Sequence, residues 1–188
     1  MSSKGKIFVQ NFRDRVYGSD ESVLKKVYKG CNKDYTSVIK DIVTSLIADE
    51  DKGIKNYSEY FKIDYTGWTS TNHDTHDGIR IYEWTFDFAI EHENDNRDWT
   101  YELLKLSFIK AEVRIVIGYV DRERITNENE LEIIKSQVQY FKNSVDANEE
   151  FYVILMNRTL SDKDPFGMRV YAIKEKFVED ITESFTTC

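Results

Sequence analysis

Phe86-Asp87-Phe88-Ala89-Ile90-Glu91-His92-Glu93-Asn94 is the stretch on which the fold turns. It reads as a strand that begins apolar and ends in two carboxylates. Strand side chains alternate faces, so the pattern sends Trp84, Phe86, Phe88, Ile90 and His92 one way and Asp87, Ala89, Glu91 and Glu93 the other. Glu91 and Glu93 then stand about 6–7 Å apart along the strand. Like charges this close repel, and one tends to take up a proton. A hard divalent cation removes that cost, and oxygen ligands suit Mg²⁺ or Ca²⁺. The competing account is a solvated strand end, where exposed glutamates are common.

Upstream, Tyr60 to Thr66 alternates as a half-buried strand, with Phe61, Ile63 and Tyr65 inward and Tyr60, Lys62, Asp64 and Thr66 outward. The polar run from Gly67 to Gly78 reads as a long connection, and the decisive strand spans Ile79 to Glu93. Before these, Val38, Ile39, Ile42, Val43, Leu46 and Ile47 recur at helical spacing between Asp34 and Asp49, with Asp34 as N-cap and Gly53 beyond the end. A weaker helix is expected around Ser22 to Tyr28, and residues 1–20 read as a polar, partly ordered N-terminal extension.

Downstream, Asp98 caps a helix to Lys110 with Trp99, Leu103, Leu106 and Ile109 on one stripe. A β-branched strand covers Glu112 to Val120. A helix follows from Thr126 to Asn143, with Glu128 to Glu130 in the first turn, where negative charge suits the helix dipole. Phe151 to Met156 is nearly all apolar, as in a buried sheet interior. A strand over Met168 to Ile173 and a closing helix over Lys174 to Phe185 complete the chain. Strands alternating with helices after an initial hairpin give an α/β fold, a mixed β-sheet flanked by helices.

At 188 residues the chain fits a single domain, residues 1–188. Its hydrophobic content of 40% supports a sizeable core. No run is long enough to cross a bilayer, and Met1 to Gln10 lacks a signal-peptide apolar stretch, so a cytoplasmic protein without membrane contact is expected. Cys31 and Cys188 form no metal-binding spacing and no disulfide framework. The net charge of -8 argues against a general nucleic-acid coating protein. It leaves room for a local basic groove and for carboxylates that hold a metal.

Asp64 and Glu91 lie on the polar faces of successive strands, and a hairpin would let them converge across about 4.8 Å. Glu93 extends that face. Lys105 follows on the next helix, with Glu102 one turn earlier. Carboxylates plus a lysine make a metal-dependent phosphoryl site: the metal takes carboxylate, water and phosphate oxygens, and the lysine neutralises charge on the phosphate.

The order Asp64, Ile90-Glu91-His92-Glu93-Asn94, Tyr101-Glu102-Leu103-Leu104-Lys105-Leu106 and Val113-Arg114-Ile115-Val116-Ile117-Gly118-Tyr119 resembles the restriction-endonuclease-like, PD-(D/E)xK nuclease superfamily over residues 34–120. The resemblance implies an αβββαβ core, Mg²⁺ (or Mn²⁺) as cofactor and hydrolysis of phosphodiester bonds by in-line attack of water. It implies Asp64 and Glu91 as metal ligands. Glu93 falls where the family usually carries its catalytic lysine, and Lys105 is the candidate for that migrated role. No Pro-Asp dipeptide precedes Glu91. DNA is the expected substrate, with a homodimer or a DNA-contacting partner protein. The alternative is a catalytically degenerate nuclease-like fold acting as a binding or interaction protein.

Competing assignments stand beside these. Asp77-Gly78 could supply the first acid, although Asp-Gly is also a turn pair. His73-Asp74-Thr75-His76-Asp77 has metal-ligand residue types, but zinc needs three or four converging ligands. Asp87 is separated from Glu91 by about 13 Å of strand. Lys105 can equally be a surface lysine paired with Glu102. Trp68 could stack on a base or cover the core edge. Arg122 and Arg124 could touch phosphates or belong to a solvated loop.

Overall fold

The computed structural model describes residues 3–18, 32–48, 54–60, 62–69, 85–94, 99–120, 127–141, 145–146, 148–157, 166–175 and 177–185. The chain is α/β: helices α1 (Lys4–Gly18) and α2 (Asn32–Ile47) precede strands β1 (Ile54–Tyr60), β2 (Ile63–Thr69) and β3 (Thr85–His92). Then follow α3 (Trp99–Ser107), β4 (Ala111–Val120), α4 (Asn127–Val138), β5 (Glu150–Asn157), β6 (Arg169–Lys174), β7 (Phe177–Asp180) and a 3-10 turn, Thr182–Phe185.

Among the described residues, seven strands form one sheet in sequence order. Neighbours are antiparallel except β3–β4 and β4–β5, which are parallel. Each parallel step needs a crossover, and α3 and α4 supply them. Both helices contribute to the same apolar cluster, through Trp99, Leu103 and Leu106 of α3 and Ile134 and Val138 of α4. The other face is covered by α1 and α2, through residues such as Phe8, Phe12, Ile39 and Val43. Helices on both faces explain why β4 and β5 are almost wholly buried and nearly continuous in apolar residues. Each fully buried Leu or Ile contributes about 1.5–3 kcal/mol to this arrangement.

Several expectations are corrected. Residues 4–18 are not a loose extension: Phe8, Val9, Phe12 and Val16 form a buried stripe of α1. Ser3 Oγ and the Gly5 amide both donate to the Glu150 carboxylate, at 2.5 and 3.0 Å, which ties the start of α1 to β5. The expected strand at 60–66 is instead a hairpin, with Tyr60 paired to Ile63. Lys62, in the turn, has φ 59°, a left-handed backbone that a non-glycine residue adopts at a cost of about 1–2 kcal/mol. No Gly or Asn marks that turn, so pattern alone merged two strands. Gly67 to Thr69 continue β2 rather than opening a loop. In place of the expected closing helix, the described residues form a β6–β7 hairpin and a 3-10 turn; Glu175, at φ 54°, sits in the hairpin turn that pairs Lys174 with Phe177. The weaker helix at 22–28 lies outside the described residues.

Alternation in β3 also breaks. Gly67 pairs with Phe88 but Trp68 pairs with Phe86, which leaves Asp87 as the extra residue of a β-bulge. Phe86 packs with the α3–α4 cluster, while Phe88 and Ile90 face α1 and α2. Asp87 turns to Lys4 of α1, whose Nζ lies 2.6 Å from its Oδ1 and 2.5 Å from Glu112 Oε2. With both faces covered, alternation sorts residues between two helix layers rather than between core and solvent. No helix among the described residues is long and apolar enough to cross a membrane.

Candidate active site

The antiparallel register of β2 and β3 pairs Tyr65 with Ile90 and Thr66 with Ala89. Continuing it by one residue sets Asp64 opposite Glu91. The ladder closes there in an unusual way: the His92 amide donates to Asp64 Oδ2 at 2.8 Å, a side-chain acceptor. The Lys62 carbonyl, turned by its left-handed backbone, accepts instead from Lys105 Nζ at 3.0 Å.

Glu91 is buried, with only 1% of its side chain exposed, beneath the last turn of α3. Lys105 Nζ lies 2.7 Å from Glu91 Oε1 and 2.5 Å from Glu102 Oε2. Lys105 reaches both because helical side chains lean toward the N-terminus of their helix, over the preceding turn. Both oxygens therefore have the Lys105 ammonium as their close partner.

Burial pushes the Glu91 carboxyl up to about 8; Lys105 pulls it back, and Asp64 and Glu102 add to the rise. Burial lowers the Lys105 ammonium, but Glu102 and Glu91 outweigh it and hold it above the ordinary lysine value. The net result is a lysine that stays charged beside a carboxyl poised near neutrality.

His92 faces the opposite layer. Its Nε2 is 2.9 Å from Tyr119 Oη, and the Tyr119 ring meets Tyr35 of α2 edge-on at 5.6 Å. Its Nδ1 is buried without a hydrogen-bond partner, and burial lowers the imidazole to about 4. The imidazole therefore does not join the carboxylates.

The structure thus brings together Asp64, Glu91 and Lys105, with Glu102 added as a second acid on the lysine. The Lys105–Glu102 pairing expected of a surface lysine is present too, and does not prevent Lys105 from reaching Glu91. Glu93 continues the strand, its amide donating to the Ile117 carbonyl at 2.9 Å, and its side chain is half-buried. Trp68 is 5% exposed and packs edge-on against Phe86, so it covers the core and offers no face for a base. Glu130, in the first turn of α4, is fully buried and accepts from Tyr171 Oη at 2.9 Å. Asp77-Gly78, the His73 to Asp77 run, Arg122, Arg124, Cys31 and Cys188 lie outside the described residues. Among the described residues, no group of three or more His, Cys, Asp or Glu is arranged to hold a metal ion. No protein-family model, curated protein or solved structure matches the chain.

Proposed function

We propose that this chain is a divalent-metal-dependent nuclease that hydrolyses phosphodiester bonds of DNA. The carrying observation is the contact of Lys105 Nζ with the buried Glu91 carboxylate, which faces Asp64 across the β2–β3 pair. The order of elements from Asn32 to Val120, namely helix, three-stranded meander, helix and strand, supports the resemblance to the restriction-endonuclease-like superfamily.

Asp64 and Glu91 suit Mg²⁺ or Mn²⁺, because Mg²⁺ commonly takes only one or two carboxylates and completes its shell with water and phosphate oxygens. Glu91 is crowded by Asp64 and Glu102, and such an ion would offset that like-charge cost. When bound, the ion would polarise a phosphate oxygen and acidify a water. Lys105, held charged by its acidic neighbours, would donate to a non-bridging phosphate oxygen as negative charge grows there. Glu93 would assist by orienting water at the strand end.

Plasmid and single-stranded DNA incubated with Mg²⁺ or Mn²⁺ test the proposal. Wild type is expected to nick or degrade them, and Glu91→Ala and Lys105→Met to lose on the order of 10²–10³ in rate. No cleavage by wild type with either ion overturns it. Glu93 in the usual lysine position and the net charge of -8 favour the second reading, a nuclease-like binding protein. DNA or protein binding without cleavage would select it.

A further inference from the structure

Lys105 sits between the acids that the nuclease reading gives to a metal. Its ammonium is 2.7 Å from Glu91 Oε1, 2.5 Å from Glu102 Oε2 and 3.0 Å from the Lys62 carbonyl. Three oxygens from three elements converge on one cation. The Lys105 side chain is 26% exposed and that of Glu91 only 1%, so Lys105 is the more accessible partner of the pair. The Lys105 ammonium is the close partner of Glu91 Oε1. A Mg²⁺ ligand must approach to about 2.0–2.1 Å, and a dication next to an ammonium is repelled.

We propose that the Lys105 ammonium and a divalent cation are alternative partners of the Glu91 carboxylate, so that metal entry displaces Lys105 from Glu91 and frees it for a phosphate. The lysine's flexible four-carbon stem permits the swing, and Glu102, three residues earlier on the same helix, retains a carboxylate for it to lean on. The same residue would then guard the site and serve the reaction. This rests on the nuclease reading.

Calorimetric titration with Mn²⁺, run beside DNA cleavage, tests it. Lys105→Met removes the competing charge and is expected to bind Mn²⁺ at least about tenfold more tightly than wild type, while losing cleavage. Lys105→Arg, which keeps the charge, is expected to bind no more tightly than wild type. Equal or weaker binding by Lys105→Met overturns the inference; if wild type still cleaves DNA, the nuclease reading survives. No Mn²⁺ binding and no cleavage by any of the three overturns both. Should the variants fail to fold, Mg²⁺ titration of wild type is read at the Lys105 side-chain ¹³Cε resonance. A shift is expected; a resonance unmoved while Mg²⁺ binds overturns the inference.

Discussion

Glu91 and His92 are consecutive in β3 yet serve opposite faces of the sheet: the Glu91 carboxylate meets Lys105 of α3, while the His92 ring meets Tyr119, which packs on Tyr35 of α2. Strand alternation imposes this division. Between them, the His92 amide holds Asp64. Two buried titratable groups thus flank one peptide bond, and their pH dependences run in opposite directions.

For Glu91 the folded-state value lies near 8, above an ordinary 4.5. The folded chain therefore holds a proton that the unfolded chain releases between these values. Its stabilising contribution is complete below about 4.5 and is lost as pH rises through about 8. Glu91→Gln, permanently neutral, is expected to flatten the decline in stability over that range. Urea unfolding midpoints at successive pH values would show it; an unchanged slope in the variant would mean that Glu91 is not the titrating group.

His92 behaves in the reverse sense. Its folded-state value is near 4, below an ordinary 6.5, because burial disfavours the imidazolium. Its contribution is present above about 6.5 and is lost as pH falls through about 4. His92→Phe is expected to reduce acid sensitivity over that window, while forfeiting the Tyr119 hydrogen bond, worth about 1 kcal/mol at neutral pH. Thermal melts between pH 4 and 7 separate the two effects, since only the first depends on pH.

Gly118 tests how tightly α3 is seated. A Cβ there would lie 2.7 Å from Trp99 Cβ and 3.2 Å from Leu155 Cδ2. The missing side chain is what lets the first turn of α3 approach β4. Gly118→Ala is expected to destabilise by about 1–3 kcal/mol through overpacking, and to shift the helix that carries Lys105. Chemical denaturation measures the first effect, and a variant as stable as wild type would show that α3 can yield there.

The β-rich middle of the chain was legible in outline because β4 from Ile115 and β5 from Phe151 run almost wholly apolar and α3 carries a clear stripe. The antiparallel pairing of β2 with β3 was only one option in the sequence, which offers two successive strands but does not fix how they pair. The two hairpin turns at Lys62 and Glu175 were not legible, because each puts a charged residue where turn chemistry would place Gly or Asn. The bulge at Asp87 was hidden, and the partner it meets, Lys4, lies 83 residues away. The stripe of α1 was missed because Lys, Gln, Arg and Asp dilute Phe8, Val9, Phe12 and Val16. Lys105 carried a local signal, Glu102 three residues earlier, but its reach to Glu91 depends on the path of α3 over the sheet. That path is set by packing.

Arg114 fixes the far end of the same helix. Its guanidinium lies 2.8 Å from Glu149 Oε2, stacks 4.7 Å from the Phe151 ring centroid, and donates to the Ile109 carbonyl at 3.3 Å and, at 3.5 Å, to Leu106. The Leu106 carbonyl belongs to the C-terminal turn of α3, where intrahelical donors run out, and Ile109 lies just beyond that turn. Arg114→Met preserves the stem but leaves Glu149, 13% exposed, without its cation. A loss of about 3 kcal/mol is expected, as for a buried pair broken from one side. Lys174 and Glu179, 2.9 Å apart but 66% and 59% exposed, make the control. Lys174→Met is expected to cost at most about 1 kcal/mol. On the proposed nuclease function, loss of this cap on α3 would also slow cleavage where the Lys174 change does not. Equal stability losses for the two variants would show that the Arg114 ion pair is no more buried in effect than a surface one.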